Sequence, residues 1–182
     1  MRTLRQEITL EEDFPLDFSQ IQTILQHRCS NLKVHFTDLE EITPRYRMHN
    51  IIPPGFNVGL VLLSAKIDRK VNRHWVTFLR HMNNRISFYD PLNLGIHTLS
   101  SYMKDGGYFA KFVQRNKCDV NRQKHQKNVS KIKTCGLHAC SRMVAHSVQD
   151  MTNQQYHSWL TSVHLPPDEL VTLLCYIGHI SV

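Results

Sequence analysis

The stretch RHWVTFLRHMNNRISFYDPL, residues 73–92, decides the fold. Trp75, Val76, Thr77 and Phe78 favour extended backbone, as do Ile86, Phe88 and Tyr89. Asn83 and Asn84 supply turn chemistry between the two arms. Pro91 has no N–H to give to a ladder, so it marks the end of the second arm. The stretch predicts a β-hairpin. An antiparallel pair sets the start of one strand beside the end of the other, which brings His74 and Asp90 to the same end of a sheet. Whether they share a face depends on the turn. A two-residue Asn-Asn turn makes residue 77 oppose 90 and sends His74 to the opposite face. A three-residue turn makes 76 oppose 90, and the two side chains become diagonal neighbours on one face. A bulge near the strand end has the same effect. If the histidine and the carboxylate act together, the turn must be odd or the strand bulged.

Outward from the hairpin, VGLVLLSAKI (58–67) is an almost unbroken apolar run of strand length, the pattern of a strand buried on both faces. FSQIQTILQH (18–27) places Ile21, Ile24 and Leu25 at helical spacing, and ITPRYRMHNIIPPGF (42–56) carries three prolines and reads as a loop. Residues 99–114 predict helix on either side of Gly106–Gly107. Leu137, Cys140, Met143, Val144, Val148 and Met151 recur every three or four positions and predict a helix with one buried stripe. LPPDELVTLLCYIGHI (165–180) predicts a last helix, with prolines and Asp168 at its start. The expectation is a single α+β domain in which a central mixed β-sheet is flanked by helices.

With 182 residues, 41% of them hydrophobic, the chain can bury a sizeable core. The net charge of +7 favours polyanionic partners, nucleic acid first. Residues 111–133 concentrate eight Lys and Arg against one Asp, as a solvated loop or an anion-binding arm would. The N-terminal MRTLRQEITLEED lacks the apolar core of a signal peptide, and no apolar run spans a bilayer, so no membrane role is expected. The five cysteines, at 29, 118, 135, 140 and 175, are read as thiols in a reducing compartment.

Cys135 stands ahead of the apolar-striped helix in the phrase TCGLHAC. Backbone N–H groups at a helix N-terminus favour an anion, so a thiolate is stabilised there, and a nearby imidazolium would stabilise it further. Such a sulfur attacks a carbonyl carbon. The Cys135 N–H and a side-chain amide would receive the oxyanion, and Gly136 would let a substrate backbone come close. His74 would serve as general base and then acid, oriented by Asp90. Each part alone has a plain reading: core thiol, exposed strand-end histidine, ordinary turn aspartate. The ordered set is more specific, with HW, then YDP sixteen residues after the histidine, then TCG with its cysteine 45 after the aspartate.

That set resembles the adenain family, the cysteine proteases of adenoviruses and of related DNA elements of the polinton and adintovirus type. SUMO-specific proteases belong to the same clan. FYDPLNLG (88–95) is similar to the adenain phrase in which an acid precedes proline and a glycine follows, and residues 160–174 resemble the polinton-type C-terminal part. The resemblance implies a catalytic triad of His74, Asp90 and Cys135, with no cofactor needed for the chemistry. It also implies a glutamine as oxyanion donor. HQKNVSKIKTCG (125–136) offers Gln126, with two extra residues after Ser130, and Asn128 as the alternative. Further implications are contact with DNA through 111–133 and cleavage of capsid precursors in the virion or host nucleus. A short activating peptide joined by a disulfide to an upstream cysteine, here Cys118, is another. Two other functions stay open: a ubiquitin-like or SUMO-specific isopeptidase, and a basic nucleic-acid-binding protein without activity. Cys135, His138 and Cys140 do not converge on one helix face, and no second Cys or His pair stands at finger spacing, so no metal is expected.

Overall fold

The structure, a computed structural model, describes residues 4–29, 32–67 and 70–180. In chain order its elements are α1 (Leu4–Glu12), α2 (Phe18–Arg28), β1 (Val34–Leu39), α3 (Met48–Ile51), β2 (Val58–Ile67), β3 (Lys70–Arg80) and β4 (Ile86–Tyr89). Then come α4 (Ile96–Met103), α5 (Tyr108–Arg115), β5 (Asp119–Val120), α6 (Cys135–Gln149), α7 (Asn153–Ser162) and α8 (Pro167–Ile180). The strands form one mixed sheet in the order β1-β2-β3-β4-β5. β2, β3 and β4 are antiparallel neighbours, while β1 and β5 lie parallel to β2 and β4 at the edges. Parallel neighbours need a crossover. The chain supplies α3 between β1 and β2, and α4 with α5 between β4 and β5.

The period-2 alternation of strands divides the apolar residues between the two sheet faces. Val58, Leu60, Leu62, Trp75 and Leu79 pack in one cluster with Ile21, Leu137, Met143, Tyr156 and Val171, so α2, α6, α7 and α8 cover that face. Val61, Leu63, Val76, Phe78 and Phe88 pack in the other with Ile51, Leu99, Phe109 and Phe112 from α3, α4 and α5. Burying one such side chain is worth about 1.5–3 kcal/mol. The chain is thus α+β with a five-stranded mixed sheet between helical layers.

The hairpin register pairs Thr77 with Tyr89 and Arg80 with Ile86, which leaves a three-residue turn, Met82–Asn84, between His81 and Arg85. The His81 N–H donates to the Arg85 carbonyl at 2.9 Å, and Asn84 takes the left-handed conformation (φ 62°), which asparagine tolerates. By this register Asp90 falls opposite Val76, on the face of His74. Four expectations need amending. The 42–56 segment contains the single-turn helix α3. Residues 111–133 are not merely a cationic loop, since they include the end of α5, β5 and the buried Asn121, His125 and Gln126. Val148, placed in the buried stripe, is 66% exposed, because α6 runs past the sheet there. β3 begins at Lys70, so His74 stands within the strand and not at its start; the next residue, Trp75, is core, buried with its indole N–H donating to the Leu16 carbonyl at 2.8 Å.

Candidate active site

Asp90 is the fixed point. Its carboxylate is buried at 1% exposure, and Oδ1 accepts from the Leu92 N–H at 2.9 Å while Oδ2 accepts from the Leu94 N–H at 2.7 Å. The backbone of Asp90 is clamped by Asn121, which accepts its N–H and donates to its carbonyl, both at 2.8 Å. Against this rigid acceptor the His74 Nε2–H donates to Oδ1 at 2.7 Å. With Nε2 committed, Nδ1 is the nitrogen left for Cys135, whose thiol lies in the same cleft and close enough to the ring for each group to shift the other.

Cys135 is the first residue of α6, and the N–H groups of Trp75 and Gly136 point at its sulfur. Burial pushes the Cys135 thiol up. The His74 hydrogen bond and charge, together with the two N–H groups, outweigh burial and hold the thiol below its ordinary value. Burial alone would pull the His74 imidazole down. The hydrogen bonds and charges of Asp90 and Cys135 reverse this and hold it up at about 10. Both shifts favour an imidazolium–thiolate pair, the reactive form of a cysteine.

Gly136 has a different reason than substrate access. A Cβ there would lie 3.0 Å from the Leu16 Cβ, so the glycine admits the chain entering α2 rather than a ligand. The start of α6 is anchored from behind by the buried Asp168 of α8. Its Oδ1 accepts from the Thr134 hydroxyl and from His138 Nε2 at 3.1 Å, and its Oδ2 accepts from the Lys127 N–H at 3.0 Å. Asp168 therefore serves the neighbouring helix, not only its own first turn. Burial raises its carboxyl, but His138, Thr134 and Lys127 hold it below its usual value.

His74, Cys135 and Gln126 line one open cleft of ≈ 470 Å³, with Arg73, Leu94 and Tyr102 along its wall. Gln126 is buried. Its N–H donates to the Pro91 carbonyl at 2.9 Å, its side-chain Nε2 donates to the Ile132 carbonyl at 3.2 Å, and its Oε1 has no partner. Asn128 also lines the cleft but is exposed. Cys118 is half-buried against the Phe112–Val113 side of the core, and burial pushes its thiol up to about 12. His138 turns to Asp168, and Cys140 is buried beside Cys175. All eight cations of the basic segment are exposed, and six of them are Lys111, Lys117, Arg122, Lys124, Lys127 and Lys131. Of the other two, Arg115 donates to the Tyr46 carbonyl, and Lys133 pairs with Asp13 at 3.0 Å.

Sequence reasoning missed Asn121 and Asp168, whose roles rest on contacts 31 and 34 residues away in the chain. Compared with known proteins, the chain matches no family model, and no curated protein matches it.

Proposed function

We propose that this chain is a cysteine endopeptidase with an adenain-like fold that cleaves viral capsid and precursor proteins by acyl-enzyme chemistry. The observation that carries the reading is the single ring of His74, hydrogen-bonded to buried Asp90 at 2.7 Å and sharing one cleft with the Cys135 thiol at the head of α6. The Cys135 thiolate attacks the scissile carbonyl. The oxyanion is received by the Cys135 N–H and the Gln126 side-chain amide, whose NH2 has a second N–H beside the one donated to the Ile132 carbonyl. The His74 imidazolium protonates the leaving amine, the thioester forms, and neutral His74 then draws a proton from water for deacylation. Asp90 keeps the ring orientation through both halves.

DNA contact through the exposed lysines and Arg122 of the basic segment belongs to the same reading, as does action in the virion or host nucleus. So does an activating peptide at Cys118, although burial of that thiol works against rapid disulfide exchange. The test is turnover of Gly-containing capsid-precursor peptides beside ubiquitin-like fusions, for the parent chain and Cys135→Ser. Cleavage of the peptides alone, abolished in the variant, is expected. Cleavage of the fusions alone points to the isopeptidase branch. DNA binding that survives the variant, with no turnover in either chain, overturns the enzyme reading.

A further inference from the structure

A second polar cluster lies at the other end of the same elements. His81 directly follows β3, His146 stands in the last turn of α6, and Asp150 caps that helix. His81 Nδ1 is 2.7 Å from Asp150 Oδ1, and His146 Nδ1 is 3.2 Å from the same oxygen. One donor atom from each of the three residues lies within 4.8 Å of the others. The two imidazoles meet edge to face at 88°, so the rings do not stack and both Nδ1 atoms face the carboxylate.

The remaining atoms of all three groups are already held. His81 Nε2 is 2.8 Å from the Ser87 hydroxyl, and Asp150 Oδ2 accepts from the Met82 N–H at 3.2 Å. The Arg80 backbone lies beside the His146 ring, whose buried Nδ1 has no hydrogen-bond partner. His146 is only 6% exposed. With Nε2 carrying the proton, a buried nitrogen lone pair faces a carboxylate oxygen. Two such lone pairs repel unless a cation stands between them. A single proton on His81 Nδ1 serves only one of the two contacts.

We propose that His81 Nδ1, His146 Nδ1 and Asp150 Oδ1 bind a zinc ion, or a divalent transition metal of similar preference, as a structural clamp between the β3–β4 turn and the end of α6. Tetrahedral zinc at about 2.0–2.1 Å from nitrogen and oxygen sets its ligand atoms about 3.3 Å apart; the 3.2 Å between His146 Nδ1 and Asp150 Oδ1 matches this, and the 2.7 Å between His81 Nδ1 and that oxygen must open by roughly half an ångström as the ion replaces the proton. The Ser87, Arg80 and Met82 contacts are the outer partners that orient such ligands. A cleft of ≈ 830 Å³ lined by Arg80, His81, Asn84, His146 and Asp150 gives a route in and room for a water as fourth ligand. This cluster shares no residue with the Cys135, His138 and Cys140 set that the sequence argues against. Cys135 and His146 are about 16 Å apart along one helix, so the metal would hold α6 against the hairpin without touching the candidate nucleophile.

The test uses the full chain carrying Cys135→Ala, which removes the thiolate best placed to compete, stripped by chelation and dialysed against zinc. One zinc per chain is expected. His146→Gln and Asp150→Asn should each weaken it at least tenfold, with circular dichroism matching the parent. Cobalt substitution should give a four-coordinate visible spectrum without thiolate-to-metal charge transfer. No stoichiometric zinc in the parent, or equal affinity in both folded variants, overturns the proposal. Should either variant fail to fold, the cobalt spectrum of the parent decides: thiolate charge transfer or a weak six-coordinate spectrum counts against the site.

Discussion

Replacing Asp90 with Asn exchanges one carboxylate oxygen for an NH2 group. Both oxygens already face donors: Oδ1 meets His74 Nε2–H and the Leu92 N–H, and Oδ2 meets the Leu94 N–H at 2.7 Å. Whichever way the amide turns, its NH2 meets an N–H. Turned toward Leu94, it keeps the ring's acceptor but forfeits one buried hydrogen bond to a charged acceptor, a loss of about 1.5–3 kcal/mol. The ring also loses the negative charge that, against burial, helps hold His74 at about 10. Each pH unit by which the imidazolium weakens costs the ion pair about 1.4 kcal/mol. The Cys135 thiol then rises, because His74 is the main influence opposing its burial. The assay is iodoacetamide alkylation of Cys135 against pH, followed by intact mass and peptide mapping. The parent should label fast at neutral pH and slow only on acidification. In Asp90→Asn the midpoint should move upward, and labelling at pH 7 should slow about tenfold or more. Superimposable profiles from a folded variant would mean that the Asp90 charge is not felt at the sulfur, and that Asp90 takes no part in activating Cys135.

Gln126→Ala should lower kcat about 10²–10³-fold with KM nearly unchanged, and should leave the alkylation profile of Cys135 intact, since the amide acts on the oxyanion alone. Gly136→Ala brings a Cβ to 3.0 Å from the Leu16 Cβ and should destabilise the fold by about 1–3 kcal/mol in chemical denaturation, a penalty that should shrink when measured in a Leu16→Gly background, which lacks that atom. Burial pulls His125 down to about 3, so it stays neutral in the folded chain while the unfolded chain takes a proton below about 6.5. Its contribution to stability is therefore complete above that pH and is lost as pH falls toward 3, at about 1.4 kcal/mol per pH unit. Denaturation midpoints between pH 6.5 and 4 check this, and His125→Gln should flatten the slope.

The elements readable in the sequence were those with a strong single-chain signal. β2 is an unbroken apolar run, α6 keeps a stripe of period 3.6 until it passes the sheet, and α4 and α5 part at two glycines. The parity of the hairpin was not readable, because Asn83 and Asn84 suit a two-residue turn as well as the three-residue one that includes Met82. β1 gave no strand signal, since VHFTDL lies at a sheet edge and is mostly half-buried. The His74–Asp90–Cys135 grouping was legible because Asp90 follows β4 and Cys135 opens α6, while His74 shares the hairpin end with Asp90 although β3 itself begins four residues earlier at Lys70. The polar supports behind it were not. Asn121 and Asp168 look like ordinary turn and helix-start residues until the chain folds them onto Asp90 and Thr134.

Under the proposed adenain-like reading, the long spacing between Gln126 and Cys135 falls where chain length matters least. Gln126 is fixed by its N–H to the Pro91 carbonyl, the residue after the Asp90 that orients His74. Lys127 is fixed by its N–H to Asp168, the same carboxylate that holds Thr134 and His138 at the head of α6. Amide, imidazole and sulfur are therefore referenced to two linked anchors, the Asp90–Pro91 turn and Asp168, and not to the chain that joins them. Residues 127–131 between the anchors are exposed. Lengthening a flexible loop by two residues costs only a few tenths of a kcal/mol. The added residues can bulge into solvent while Gln126 stays in the cleft, so the nine-residue separation from Cys135 does not by itself argue against its role.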